Sequence, residues 1–324
     1  YGIVSPEFGR DDYKGVDVRG KIAAFFSGAP RGLPGEERAH IGHANTKAAI
    51  AAAHGAIGTI QLESPISAKT RPFARIAATW DSARMTWADA SGVGHLAAPG
   101  TPALGMVSLA GAPRLFEGAK TPWKKLLAAA ETERPKFKAE ELPVRLSVRL
   151  TTDVSAAVSY NVAGLLPGSD PALAKQVVIL SAHLDHIGVG RPDAKGDTIN
   201  NGAMDNAVGI ASLIEEARRF KQSGKAPRRS ILFLAVTAEE KGLIGSDYFA
   251  RHPTVPKENL VADVNLDMPI ITYKFDDLIV FGAPRSTLGP IVARAAAGVG
   301  VTISPDPLPD EGLFTRSDHY RFVQ

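Results

Sequence analysis

Two periodicities alternate along the chain. In its first part, residues 21–26 (KIAAFF) and 58–62 (GTIQL) read as strands, and between them an Ala-rich stretch, 40–54, reads as a helix stopped by Gly55. Residues 105–109 are a third strand candidate and 123–131 a short helix. From 136 to 153 the pattern becomes strict alternation, with Val144, Leu146, Val148 and Leu150 on one face, which predicts a half-buried strand. Residues 160–166 form another strand, closed by Pro167-Gly168. Strands at 177–181, 230–236, 260–266 and 278–281 then alternate with helices at 206–220, 242–251 and 288–297. The run Val177-Val178-Ile179-Leu180 is apolar throughout, as in a parallel strand covered on both faces. In the helix that follows, Val208, Ala211, Ile214 (with Leu213) and Ala217 share a stripe. This order predicts an α/β protein: a three-layer αβα sandwich with a mostly parallel central sheet over 136–324, preceded by a smaller α/β or β-rich domain over 1–135.

Composition narrows the function classes. A net charge of +3 over 324 residues, with no Lys/Arg run, gives no footing for nucleic acid or an anionic membrane. No apolar run reaches the roughly 18 residues of a membrane span. Cysteine is absent, which removes disulfides, thiolate ligands and cysteine nucleophiles. No Gly-x-Ser-x-Gly elbow follows a strand, and Gly188 and Gly190 lack the spacing of a phosphate loop.

The polar chemistry gathers where predicted strands end or loops begin. His183 and Asp185 follow the 177–181 strand, Asp205 opens a helix, Glu239-Glu240 and Asp267 follow two more strands, and His319 lies close to residue 324. Asp205 alone would be an ordinary helix N-cap, Glu239-Glu240 a solvated turn, and Asp318-His319 a surface pair. Together they place two imidazoles and several carboxylates where open α/β sheets keep their sites, a donor set suited to zinc. The ligands exceed one tetrahedral site, so two ions sharing a carboxylate are expected. In the first domain, His40 and His43 share a helix face without carboxylate partners and read as solvated.

The sequence resembles known families at two places. Tyr1-Gly2-Ile3-Val4, Asp11-Asp12-Tyr13 and the stretch Gly15-Val16-Asp17-Val18-Arg19-Gly20-Lys21 resemble the protease-associated domain, a non-catalytic module that shapes substrate access. The order His183-x-Asp185, Ala203-Met204-Asp205-Asn206, Glu239-Glu240-Lys241-Gly242-Leu243, Asn265-Leu266-Asp267 and Ser317-Asp318-His319 resembles the di-zinc aminopeptidase and glutamate carboxypeptidase family, metallopeptidase family 28. A sister family inserts a lid and dimerisation domain before the last His, for which the stretch between Asp267 and His319 is too short.

The resemblance implies a zinc-exopeptidase fold holding two Zn2+. Asp205 bridges the ions, His183 and Asp267 complete one site, and Glu240 and His319 complete the other. Asp185 fixes the His183 tautomer, and Glu239 is the general base for a metal-bridging hydroxide. The peptide after Asp205 is expected to be cis. A peptide or protein substrate follows, with residues leaving from its N-terminus. An acidic loop (Asp306, Asp310, Glu311 and Asp318 against Arg316) favours a substrate ammonium over a carboxylate. A glutamate-carboxypeptidase activity, a one-zinc glutaminyl-cyclase-like acyl transfer and a non-catalytic binding role are the alternatives. Met268 and Phe314 are candidate walls of the side-chain pocket. Both ends read as cuts through a longer protein, so a secreted or periplasmic address and a further strand and helix of the catalytic domain are expected outside the chain.

Overall fold

The computed structural model describes residues 1–324. They form two compact units: Tyr1–Ala83, Leu96–Val154 and Asp306–Thr315 in the first, and Arg84–His95, Ser155–Pro305 and Arg316–Gln324 in the second.

The first unit is built on three parallel strands, β1 (Ile22–Phe26), β2 (Gly58–Leu62) and β3 (Ala103–Val107), in that order across the sheet. Helices α1 (Gly35–Gly42), α2 (Ala44–Ala53) and α3 (Trp123–Ala130) accompany it. Tyr1, Ile3, Phe26, Ile60, Leu62 and Trp123 form the main apolar cluster. The single helix expected over 40–54 is two. His43 adopts an extended backbone (ψ 136°) and its Nδ1 accepts from the Asn45 amide, so the residue that ends α1 caps α2. Lys47, one turn into α2, is buried, and its ammonium donates to the Phe26 carbonyl at 2.7 Å.

The strand expected over 144–150 does not form, and Val144, Leu146, Val148 and Leu150 are all exposed. Alternation supplies a face, but a strand exists only where a neighbour offers a ladder and a surface to cover, and this stretch has neither.

The second unit carries the longer sheet. Its strands β4 (Val162–Leu166), β5 (Val177–His183), β6 (Ser230–Val236) and β7 (Leu260–Asn265) lie in the order β7-β5-β6-β4. The first three in that row are mutually parallel, and β4 closes the edge antiparallel to β6. A parallel pair, β8 (Asp277–Ile279) and β9 (Thr302–Ser304), is joined through α6 (Leu288–Gly298). The remaining helices are α4 (Val208–Gln222), α5 (Ile244–Arg251) and α7 (His319–Val323). Mixed α/β architecture with mostly parallel sheets is thus present, as expected. Val177, Ile179, Leu232, Leu234, Val236 and Phe249 fill the core beneath.

On α4 the buried face is centred on Gly209 and Leu213, while Ile214 is 63% exposed, so the stripe lies one residue from where periodicity put it. Gly209 sets that face. Its Cα lies against the Asn206 side chain with no room for a Cβ, so the helix start packs closely on the Asp205 turn. Register does the rest. His183 stands opposite Val236 and Ser181 opposite Asn265, so the carboxyl ends of β5, β6 and β7 finish level and release their next residues along one edge.

Candidate metal centre

Three loops leave that edge, and each delivers ligand chemistry. The end of β5 presents His183, which is buried, followed by Asp185 and His186. A π-turn, Ala203–Ala207, entered through Gly202 in the left-handed region (φ 66°), carries Asp205 to the start of α4, and the Asp205–Asn206 peptide is cis. The turn after β6 carries Glu239-Glu240 between two non-glycine residues held at positive φ, Ala238 (55°) and Leu243 (61°). Such backbone persists where surrounding contacts over-determine it. The turn after β7 carries Asp267.

Two groups of three result, both containing Asp205: His183 with Asp205 and Asp267, and His186 with Asp205 and Glu240. His183 Nε2 lies 3.2 Å from Asp205 Oδ1 and 3.4 Å from Asp267 Oδ1. His186 Nδ1 lies 3.7 Å from the other Asp205 oxygen and 2.8 Å from Glu240 Oε1. Despite that approach, His186 Nδ1 and Glu240 Oε1 are buried without an aligned hydrogen bond. Orphaned donor atoms converging on one point, from imidazole and carboxylate alone, fit a borderline cation such as zinc.

The electrostatics agree. Burial alone would depress His183, yet the hydrogen bond and charge of Asp267, with Glu239 and Asp318 behind it, push its pKa up to about 9. Burial, then the charge of Asp318, pushes Glu239 up to about 8. Glu240 is raised by burial and by Asp205. Asp267 is held low although burial opposes it, because His183 and Ser317 both hydrogen-bond to it. The site gathers more negative charge than its two facing imidazoles balance, which is what a cation site looks like to its own side chains.

Supporting bonds fix these groups. Asp185 was expected to receive the far nitrogen of His183, but that nitrogen lies 3.0 Å from the Asp185 backbone carbonyl and 3.9 Å from its carboxylate. The carboxylate instead accepts from the amides of Glu239 and Glu240, at 3.0 and 3.3 Å. Ser317 donates to Asp267 at 2.6 Å and accepts from Asn265 at the same distance. Asn206 donates to the Leu266 carbonyl and accepts from the amides of Gly209 and Met268, tying the Asp205 turn to the Asp267 turn.

His319 falls outside both groups of three, although its charge acts on Asp267. His186 went unread in the sequence. It lies three residues from His183 in the same HLDH motif, and that spacing was the available signal. Asp318 is wholly buried rather than a surface residue, with its pKa pushed up to about 7 chiefly by burial. Met268 is 47% exposed directly after Asp267, whereas Phe314 is buried and belongs to the first unit. There, too, Asp310 of the acidic loop is paired with Arg38 at 2.9 Å, with Arg31 3.8 Å away, so part of the charge expected to meet an ammonium is neutralised.

A mostly parallel α/β sheet thus carries, at its strand ends, two candidate metal-ligand groups joined by one carboxylate. The model of peptidase family M28 matches residues 161–324, half of the chain, and the chain belongs to that family. It is similar to leupeptin-inactivating enzyme 1 of Streptomyces exfoliatus, 32% identical over 115 residues that make up 35% of this chain and 23% of that protein. It is also similar to a probable zinc metalloprotease of Pyrenophora tritici-repentis, 35% identical over 107 residues, 33% of this chain and 23% of that one. The chain thus spans less than a quarter of the length of these curated relatives. Among solved structures, the aminopeptidase from Aneurinibacillus sp. strain AM-1 aligns over 95% of this chain and 59% of its own, at 18% identity and a TM-score of 0.44.

Proposed function

We propose that the chain is a zinc-dependent exopeptidase that binds two ions and removes residues from the N-terminus of peptides. The observation that carries this reading is the sharing of Asp205 between two ligand groups at the carboxyl edge of the sheet. His183, Asp205 and Asp267 would hold one ion. Asp205 and Glu240 would hold the other, with His319 as the imidazole that the family resemblance assigns there and His186 facing the same carboxylates. Bound there, the pair supplies Lewis acidity toward a carbonyl oxygen and acidifies water.

The chain's own residues do the rest. Glu239, adjacent to a ligand and not in either group, takes a proton from the attacking water on its carboxylate and returns it to the leaving amine. Asp185 holds the amides of Glu239 and Glu240, so base and ligand are oriented by one side chain. Half-exposed Met268 offers an apolar wall beside Asp267. The first 135 residues, apart from Arg84–His95 of the second unit, are on the same reading a protease-associated domain that shapes substrate access. Their motifs at 1–21 support that.

The deciding experiment offers the zinc-loaded protein one peptide, free or acetylated at its N-terminus, and reads the products by mass spectrometry. Loss of the first residue from the free peptide only is expected. Trimming from the opposite end in both peptides would indicate a carboxypeptidase. An unchanged peptide with both zinc ions bound would move the reading to acyl transfer or to binding alone.

A further inference from the structure

Residues Arg84–His95 precede the peptidase region by some seventy positions, yet they belong to the second unit. They form a small built arm. Asp89 caps its turn, accepting from the amides of Ser91 and Val93 at 2.8 and 3.0 Å and from the Ser91 hydroxyl at 2.6 Å. A bridge between Ala88 and Gly94, with the His95 amide bonded to the Trp87 carbonyl at 2.8 Å, closes it. Every residue of the arm is exposed except Trp87 and His95. Those two rings stack at 4.4 Å, 7° from parallel, and the Trp87 ring stands edge-on to Tyr248 and His252 at the end of α5.

The contact has a polar centre. Trp87 Nε1 donates to Asp247 Oδ2 at 2.5 Å, and the other oxygen accepts from Arg251 Nε at 3.2 Å. Arg321 of α7 lies 3.9 Å from that same oxygen, and its Nη2 donates to the Gly242 carbonyl at 3.0 Å. Gly242 closes the turn that bears the base and a ligand, since the amides of Gly242 and Leu243 both bond to the Glu239 carbonyl. Asp185 holds the front of this turn by the amides of Glu239 and Glu240, and Arg321 holds its back. With Ala238 and Leu243 both at positive φ, the turn keeps its shape through such outside bonds.

We infer that Trp87 is a positioning residue for the peptidase site: by fixing Asp247 it aims Arg321 at the Gly242 carbonyl and so holds the Glu239-Glu240 turn in its working geometry. The inference rests on the proposed peptidase reading for its effect on turnover, but not for its effect on metal binding. A plain packing role for the arm predicts a loss of stability and nothing more. A positioning role predicts coupled, site-specific effects.

The test compares the full chain with Trp87→Phe, which keeps the ring and removes the donor, with Arg321→Met, with Arg321→Lys, and with the Trp87→Phe/Arg321→Met double variant. Zinc affinity is read by competition with a chromophoric chelator and, separately, kcat and KM on a free peptide. Trp87→Phe is expected to weaken one of the two zinc ions and to lower kcat, each roughly tenfold, with KM unchanged. Arg321→Met should do the same, Arg321→Lys should recover part of the loss, and the double variant should be no worse than Arg321→Met alone. Unchanged zinc affinity and kcat in Trp87→Phe, or effects that multiply in the double variant, would overturn the inference. An unvaried protein that binds two zinc ions but cleaves nothing would overturn the peptidase reading, while the zinc titrations would still decide the positioning role.

Discussion

Asp205 turns one oxygen toward His183 and the other toward His186, so its removal takes an arm from both ligand groups at once. Asp205→Ala is therefore expected to lose both zinc ions together in a metal analysis of the purified protein. A variant that keeps even one at full occupancy would contradict the shared carboxylate. On the ligand role that the family resemblance assigns to it, His319→Ala should release only the ion shared with Glu240. Glu239→Gln should keep both ions and lose on the order of 10²–10⁴ in turnover, because it removes a proton acceptor and no ligand. Retained turnover would remove Glu239 from the base role. The sequence showed why Asp205, Glu240, Asp267 and His183 belong together: each follows a buried run or opens a helix, where a lone charge would be costly. For His186 the only signal is its spacing from His183, and the amide-holding role of Asp185 is not legible, since it depends on how a loop folds back over its own strand.

The elements are held to one another by side chains with several bonds each. Asn206 serves the start of α4, the Leu266 carbonyl and the Met268 amide simultaneously. Replacing it with Ala leaves buried partners without water or protein, and a loss of about 2 kcal/mol or more is expected in urea unfolding. Lys47 is a second case, in the first unit. Burial pulls its pKa from 10.5 down to about 7, against the opposing charge of Asp12. Between those two values the folded chain holds fewer protons than the unfolded one, so stability rises with pH from about 7 upward. The native protein should therefore gain on Lys47→Met between pH 7.5 and 9.5 in denaturant titrations, and a flat difference would show that Lys47 keeps its proton when folded. Strands and helices with clear periodicity were legible to within a few residues. The alternation at 144–150 misled because it reports a willing face and not a partner, and the break at His43 was hidden inside an Ala-rich run that favours helix throughout.

For the whole molecule, metal and fold are linked quantities. No helix is long and apolar enough to cross a membrane, and the two units each close on their own cores. Zinc at about a hundredfold over its dissociation constant should add roughly 2.7 kcal/mol per site to the unfolding free energy. A rise of several degrees in the thermal midpoint over a chelator-treated sample is expected, and Asp205→Ala should show none. Two equal midpoints in the unvaried protein would mean that the ligand groups do not take zinc in the folded state.

His183 and Asp267 lie 84 positions apart in sequence and are brought together by the pairing of parallel strands. Contacts of that span require the loops between them to have closed. A chain still searching for its sheet therefore has the imidazoles and carboxylates of the centre but no place where they meet. On the proposed function, a peptidase with a preformed site would meet its own unfinished copies as the nearest supply of loose ends. On that reading, the centre would be assembled by the same event that folds the chain's own peptide bonds away.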